Sequence, residues 1–481
     1  MKDRKTAFIS GNFNIVHPGH VRLFAFAKKL AQRLIVGVHS DELGGEHIHI
    51  SQDLRLEALK SNSWIDEVVL IKGDITKTIQ ELKPDIIVKG KEFENRVNPE
   101  ADAVATYGGR LIFGSAEVSL SSLELLSRDL PTLPGSAFTI PQNYIQQHQI
   151  ERSSLLDLAK GFSGLRVCVI GDLIVDEYIT CDALGMSQED PTLVVSPIDQ
   201  RRFVGGAGIV AAHASALGAK PTLISVCGKD EVGGFARATL DAFGVNSILI
   251  VDESRPTTLK QRFRAENKSL LRVSHLRQSS ISLSHQIELI EQAKTIIQNS
   301  DLLVFSDFNY GCLPQPVVDR CTEFAKNNRV IRIADSQSSS QVGDVSRFRD
   351  MTLISATERE VRISLRDKDD GLPVIAEKLR AQTEASHIFL KLGADGVLLH
   401  MPSKDNIMTT DRLPAFNASP IDVAGAGDSM LITAGLTLAA GGSPWESALV
   451  GNLAAALQVA KVGNIPISSE ELSSALSALA I

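Results

Sequence analysis

Residues 11–20 read GNFNIVHPGH, between the apolar run TAFIS (6–10) and the stretch VRLFAFAKKLAQRL (21–34). TAFIS is short and continuous, as a strand buried on both faces is. In the stretch that follows, Leu23, Phe26, Ala27, Leu30, Ala31 and Leu34 recur at helical spacing, and IVGV (35–38) reads as a second buried strand. The decapeptide is therefore the turn of a β-turn-α-β unit at the carboxyl end of its first strand. Open parallel sheets bind ligands there.

Outward from this turn the alternation continues. DLRLEALKS (53–61) and ITKTIQELK (75–83) read as helices, and DEVVLI (66–71), DIIVKG (85–90) and GGRLIFG (108–114) as strands. SLSSLELLSRD (119–129) reads as a last helix. Strands alternating with helices imply a parallel sheet with covered faces. LPTLPGSAFTIPQ (130–142) then brings three prolines, and residues 130–148 read as a linker between domains 1–129 and 149–481. A second alternation runs through RVCVIGD (166–172), TLISVCG (222–228), DLLVFSD (301–307), VIRIAD (330–335), TLIS (352–355) and IFLKLG (388–393). Segments 178–195 and 257–276 interrupt it and read as strand pairs, a small β lid on an α/β body. The fold expected is α/β in two domains.

Composition narrows the function classes. With 481 residues the chain exceeds a single ordinary core. A net charge of −8 argues against nucleic acid as the main ligand, since phosphate backbones need basic surface. The start MKDRKTAFIS lacks the apolar core of a signal peptide, and the longest apolar stretch, around 431–440, is too short to span a bilayer. The five cysteines include no CxxC pair and read as reduced thiols. A cytoplasmic protein without a membrane partner is expected.

Two turns carry chemistry. At the first, backbone N–H groups and a helix dipole converge, and His17 and His20 stand beside them. Imidazoles there can donate to phosphate oxygens as charge builds in nucleotidyl transfer. The structural alternative is that His17 caps a turn and His20 is a satisfied core histidine. At the second, DVAGAGDSM (422–430) precedes the apolar helix LITAGLTLAA, so Gly425 and Gly427 let backbone approach an anion while Asp428 can take a proton from an attacking hydroxyl. Taken alone, GAGD is also what a helix cap looks like. GAGIVA (206–211) fits a dinucleotide pattern only weakly, because RRF rather than a clean strand precedes it, and no P-loop is present.

GNFNIVHPGH, LKSNSWIDEVVLI and PDIIVKGKEF resemble the cytidylyltransferase-like nucleotidyltransferases, over about residues 10–126. The resemblance implies a Rossmann-like domain in which His17 and His20 are catalytic. It implies that Gly11, Phe13, Asn14, Arg55 and Lys89 meet nucleotide or phosphate, and that Ser121 and Ser122 cradle the outgoing pyrophosphate. Asn14 stands where the family usually has Asp, and GGEHIHIS (44–51) where it has a basic loop.

GDLIVDEY (171–178), FVGGAGIVAAHASALGA (203–219), GKDEVGG (228–234), FSDFNYG (305–311) and KLGADGVLL (391–399) occur in the order seen in ribokinase-like (PfkB) sugar kinases. Over about 164–481 the chain is similar to the kinase part of the bifunctional heptose-7-phosphate kinase/heptose-1-phosphate adenylyltransferases, with the domain order reversed. The resemblance implies a three-layer α/β/α domain with Asp428 as catalytic base and Ala424, Gly425, Ala426 and Gly427 as anion hole. Asp172, Asp176, Gly205, Gly206, Lys260, Arg262 and Asp307 would bind the sugar phosphate, Asn452 would lie near adenine, and Glu360 would serve the metal. It further implies ATP as substrate, Mg²⁺ as cofactor and a homodimer through the lid. The family's Asn after the glycine pair is Ile209, the Asn of its Asn-x-x-Glu motif is Thr357, and the threonine common before GAGD is Ala424. The expectation is a bifunctional enzyme that phosphorylates a sugar phosphate and transfers a nucleotidyl group to a sugar 1-phosphate, for nucleotide-activated heptose. The alternatives are the same chemistries on another substrate, CTP or another polyol or sugar phosphate, and a scaffold with a degenerate kinase half.

Overall fold

The computed structural model describes residues 5–14, 16, 18–45, 48–60, 62, 64–90, 98–114, 142–187, 189–265, 268–337, 343–402, 408–417 and 420–479. The chain divides into two compact units, Met1–Thr132 and Leu133–Ile481.

In the first unit, strands β1 (Thr6–Gly11), β2 (Arg33–His39), β3 (Glu67–Ile71), β4 (Ile86–Gly90) and β5 (Arg110–Gly114) form a parallel sheet in the order β3-β2-β1-β4-β5. Successive side chains of a strand point to opposite faces. Ala7 and Ile9 therefore pack with Phe24 and Ala27 of the helix Pro18–Leu30 and with Leu59 of the helix Gln52–Lys60. Phe8 packs the other way, with Ile79 of Ile75–Leu82 and with Ala103 and Val104 of Pro99–Ala105. That last helix was not expected from the sequence. The expected helix 119–129 lies outside the described residues.

Among its described residues the second unit has two sheets. Strands β6 (Arg166–Gly171), β9 (Lys220–Cys227), β10 (Asn246–Val251), β13 (Leu302–Asp307), β14 (Ile331–Ser336), β15 (Leu353–Thr357), β16 (His387–Lys391), β17 (Val397–Pro402) and β18 (Met408–Leu413) build one of nine strands, ordered β10-β9-β6-β13-β14-β15-β16-β17-β18. The pairs from β10 to β16 are parallel, and the last two pairs are antiparallel. Alternate strand residues again feed two cores. Val167, Val169, Leu302, Val304 and Phe389 face the helices Ala207–Ala216, Ala426–Ala439 and Pro444–Gln458. Cys168, Ile170, Leu303, Phe305 and Ile388 face Leu283–Ile297, Gln315–Asn327 and Leu372–Thr383. This is a three-layer α/β/α arrangement. The expected lid is the second sheet, β12-β11-β7-β8, made of β7 (Leu173–Met186), β8 (Leu193–Gly206), β11 (Thr258–Ala265) and β12 (Lys268–His275).

One expectation is corrected here. Residues 142–148, read as the end of a linker, form the helix Gln142–His148 with Tyr144 and Ile145 buried in a core of the second unit. Tyr144 donates through its hydroxyl to the Trp445 carbonyl at 2.9 Å, and the His148 ring stacks on Trp445 at 3.8 Å. The polar run NYIQQHQ hid two large anchors behind glutamines. Residues 115–141, including most of the expected linker, lie outside the described part. Among the described residues no helix is long and apolar enough to cross a membrane.

Candidate active sites

In the second unit the DVAGAGD turn leads straight into the helix Ala426–Ala439. Gly425 caps it at φ +76°, and a Cβ there would stand 2.7 Å from Asn464 Oδ1, so the turn needs glycine for conformation and for space. Asp422, which the sequence did not single out, fixes the turn from below. It accepts from the N–H groups of Ala424 (3.1 Å) and Gly463 (3.1 Å) and from the Tyr178 hydroxyl (2.9 Å).

Val423 to Gly427 line a cavity of about 820 Å³. Asp176, Lys260 and Arg262 reach it from the small sheet, where β7 and β11 run parallel with Asp176 opposite Lys260. Asp176 is buried, 3.5 Å from the Arg262 guanidinium, and accepts from Asn464 at 3.1 Å. A Cβ on Gly205 would fall 2.4 Å from that carboxylate. The Lys260 ammonium rests over the rings of Phe308 and Tyr310 at 4.9 and 5.0 Å. A different stretch of wall is apolar, with Phe416, Pro420, Ala455, Ala456 and Val459. There Asn452 lines the cavity and donates to the Pro414 carbonyl at 2.8 Å.

Asp428 is the third residue of the helix, 6% exposed and not itself among the residues that line the cavity; it accepts from Gln337, which does line it, at 3.1 Å. Burial, then the negative charge of Asp335, pushes its carboxyl up to about 7, against the pull of Lys391. Such a group holds and releases a proton near neutrality, as a general base must.

The structure places other expected residues elsewhere. Asp172 does not line this cavity; its carboxylate accepts from the N–H groups of Phe308 (2.8 Å), Tyr310 (3.2 Å) and Cys312 (3.1 Å) and so ties down the loop after β13. Asp307 is likewise internal, with Arg347 at 2.8 Å and the Ser336 hydroxyl at 2.8 Å. Gly206 is the N-cap of Ala207–Ala216 at φ +57°. Ile209, in place of the family's Asn, is fully buried in the core. Glu360 does line the cavity, but one of its oxygens accepts the Thr357 N–H at 2.7 Å, closing a capping box. Thr357 thus keeps the helix start that an Asn would give.

In the first unit the turn after β1 is held by packing. Phe13, at φ +50°, is buried; His20 meets its ring edge-on at 4.9 Å and stacks on Phe24 at 6.3 Å. Gly11 admits this closeness, since a Cβ there would touch the Phe13 ring at 3.3 Å. Asn14 is buried and accepts from the His49 N–H at 3.0 Å. Arg55, expected to meet phosphate, is a buried brace. It donates to the carbonyls of Ile50 (2.8 Å), Asn12 (2.6 Å) and His39 (2.9 Å) and pairs with Asp41 at 2.6 Å. Lys89 pairs with the buried Glu100 at 2.6 Å. His17, Ser121 and Ser122 lie outside the described residues.

Beyond Asp422, sequence reading missed Lys391, Asp335 and Gln337 around Asp428. The signal for Lys391 was its place at the head of KLGADG; Asp335 and Gln337 carried none.

Similar proteins fit this geometry. Residues 165–471 match the model of the pfkB family carbohydrate kinases, and residues 8–117 the cytidylyltransferase-like model. The bifunctional protein HldE of Desulfatibacillum aliphaticivorans is 32% identical over 320 residues, 66% of this chain and 64% of that protein. The HldE of Caulobacter vibrioides is 31% identical over 333 residues, 67% and 66% respectively. The chain thus spans just under two thirds of the length of these relatives. Among solved structures, Arabidopsis thaliana ribokinase complexed with ribose and ATP superposes with a TM-score of 0.52 at 17% identity, covering 65% of this chain and 99% of that one. Escherichia coli phosphofructokinase-2 with substrates and products gives 0.54 at 15%, covering 65% and 98%. The family match alone takes in more than half of the sequence and contains the glycine-capped turn, the carboxylate behind it and the small sheet over the cavity, so the chain belongs to the pfkB family of carbohydrate kinases, here with a cytidylyltransferase-like segment ahead of the kinase fold.

Proposed function

We propose that the second unit phosphorylates a sugar phosphate, heptose 7-phosphate by resemblance, from ATP, and that the first transfers a nucleotidyl group from ATP to a sugar 1-phosphate. The reading rests above all on Asp428, a proton-ready carboxylate behind an amide-lined turn on a cavity that is cationic on one stretch of wall and apolar on another. Lys260 and Arg262 suit the phosphate of the acceptor sugar, Asp176 its hydroxyls, and the apolar wall with Asn452 a nucleobase. Asp428 takes the proton of the attacking hydroxyl while the amides of Ala424 to Gly427 and the helix dipole hold the charge on the moving phosphoryl group. The charges of Asp335, Glu360 and Asp428 all favour the proton of the Lys391 ammonium. Among the described residues no group of three or more carboxylate, histidine or cysteine side chains is arranged to hold a metal ion; Glu360, which lines the cavity, is the residue that would hold Mg²⁺. When bound, such an ion neutralises phosphate oxygens and orients them for transfer.

In the first unit, His17 and His20 would face the α-phosphate, at the crevice where the order β2-β1-β4 places the carboxyl end of β1. The cytoplasm as compartment and a homodimer through the small sheet belong to the same reading.

A substrate matrix tests it. ATP or CTP is offered with heptose, glycerol and hexose phosphates, and ADP and pyrophosphate are read separately. The expected pattern is ADP from ATP with heptose 7-phosphate and pyrophosphate from ATP with heptose 1-phosphate. Activity confined to CTP and a polyol phosphate would reassign the substrates, and neither product above background would leave a binding scaffold.

A further inference from the structure

Lys391 is the last residue of β16, opposite Thr357 of β15, and it lines the cavity. Its side chain is only 12% exposed. The ammonium is held by Asp335 Oδ2 at 2.6 Å, and a Cβ placed on Gly427 would lie 3.2 Å from it. A cation therefore rests against the backbone of the turn that offers its amides to a phosphate. Asp335 is fully buried and not among the lining residues, so the ammonium is the face that the pair turns to the cavity. The other oxygen, Asp335 Oδ1, is buried without a hydrogen-bond partner. An ion pair serving the core alone would have both members hidden and satisfied. This one is arranged as a carboxylate behind and a cation in front.

Resting on the kinase reading above, we propose that Lys391 is a catalytic residue of phosphoryl transfer, donating to the oxygens of the γ-phosphoryl group as it passes from ATP to the acceptor, with Asp335 holding the ammonium in place. In the step, the acceptor oxygen forms its bond to Pγ as the bond from Pγ to the bridging oxygen breaks. The electron pair leaves on the β-phosphate of ADP, and the hydroxyl proton goes to Asp428. Lys391 stays protonated throughout. Burial would drive its proton off, but the charges of Asp335, Glu360 and Asp428 outweigh this and hold the ammonium firmly charged. Its desolvation is met in the fold, before substrate arrives, which is the condition under which a fixed donor lowers a barrier.

The test compares Lys391→Met and Lys391→Arg with the wild type in the full chain, reading ADP formation under saturating ATP and sugar phosphate, KM for each, and thermal unfolding. Lys391→Met should lose about 10²–10³-fold in kcat, the cost of removing one donor to a transition-state anion. Both KM values should stay within about threefold, and Lys391→Arg should recover most of the rate. A Lys391→Met variant that melts earlier but keeps kcat would overturn the proposal and leave a structural lysine. So would equal loss in Lys391→Met and Lys391→Arg with unchanged melting. Absence of ADP formation in the wild type itself would overturn the kinase reading, and this inference with it. If Lys391→Met fails to fold, Lys391→Gln is read by the same criteria.

Discussion

The two strand-to-helix turns proposed to face nucleotide differ in what their charged side chains are doing. Around Asp428 the ionisable groups are crowded and only partly compensated: Asp335 is pushed up to about 6 by burial and Asp428 to about 7, against the pull of Lys391 on both and of Lys260 on Asp428. Around the turn after β1 the cations that sequence points to are already committed, Arg55 to three carbonyls and Asp41, and Lys89 to Glu100. A motif tells where phosphate chemistry is placed; whether a given side chain is available for it depends on partners the motif does not contain.

The contrast breaks most sharply at Asp428. Asp428→Asn should lower ADP formation by about 10³-fold or more, within the range for a lost general base, while pyrophosphate release persists; loss of both products would show that the units do not act independently. The same variant carries a stability signature. A carboxylate raised to about 7 binds its proton more tightly folded than unfolded, so it lowers stability progressively as pH climbs from about 4 to about 7. Asp428→Asn should therefore melt higher than wild type at pH 8 and no higher at pH 4; equal melting differences at both would remove burial as the cause.

Arg55→Ala asks whether the first unit's buried guanidinium is scaffolding. Removing it leaves three carbonyls without their donor, at a cost of about 3 kcal/mol. The expected result is early unfolding and proteolysis of residues 1–132 with kinase turnover intact. A raised KM for the nucleotide at unchanged stability would restore the phosphate role. The smallest effect is expected at Glu100→Gln, which loosens the hold on Lys89. The KM for nucleotide should fall by about threefold, a fraction of what a hydrogen bond to a charged group contributes, because the Gln amide oxygen still accepts from the largely buried ammonium. A rise would mean that Glu100 positions Lys89 rather than occupying it.

The alternation of strands and helices could be read because strands covered on both faces are written as unbroken apolar runs, such as Leu302–Phe305. The helix Pro99–Ala105 could not, since PEADAVA is short and shows too few large apolar residues to set a period. The Asp428 turn was legible because all its parts are neighbours in sequence. Asp172 was legible only as a motif residue, for the three amides that occupy it come from residues 308–312, across the sheet. Lys391 shows the same limit in reverse: its partner Asp335 lies on β14, two strands away, and no local pattern joins them.

The helix Gln142–His148 has a practical meaning for anyone cutting the molecule. Its Tyr144 and His148 are wedged against Trp445, with His148 also gripping Asp411 at 2.6 Å, and Ser154 of the next helix reaches Glu446. An expression boundary drawn at the first kinase-like strand would strip an aromatic clasp from the helix that carries Asn452, so a transplantable kinase module begins before residue 142.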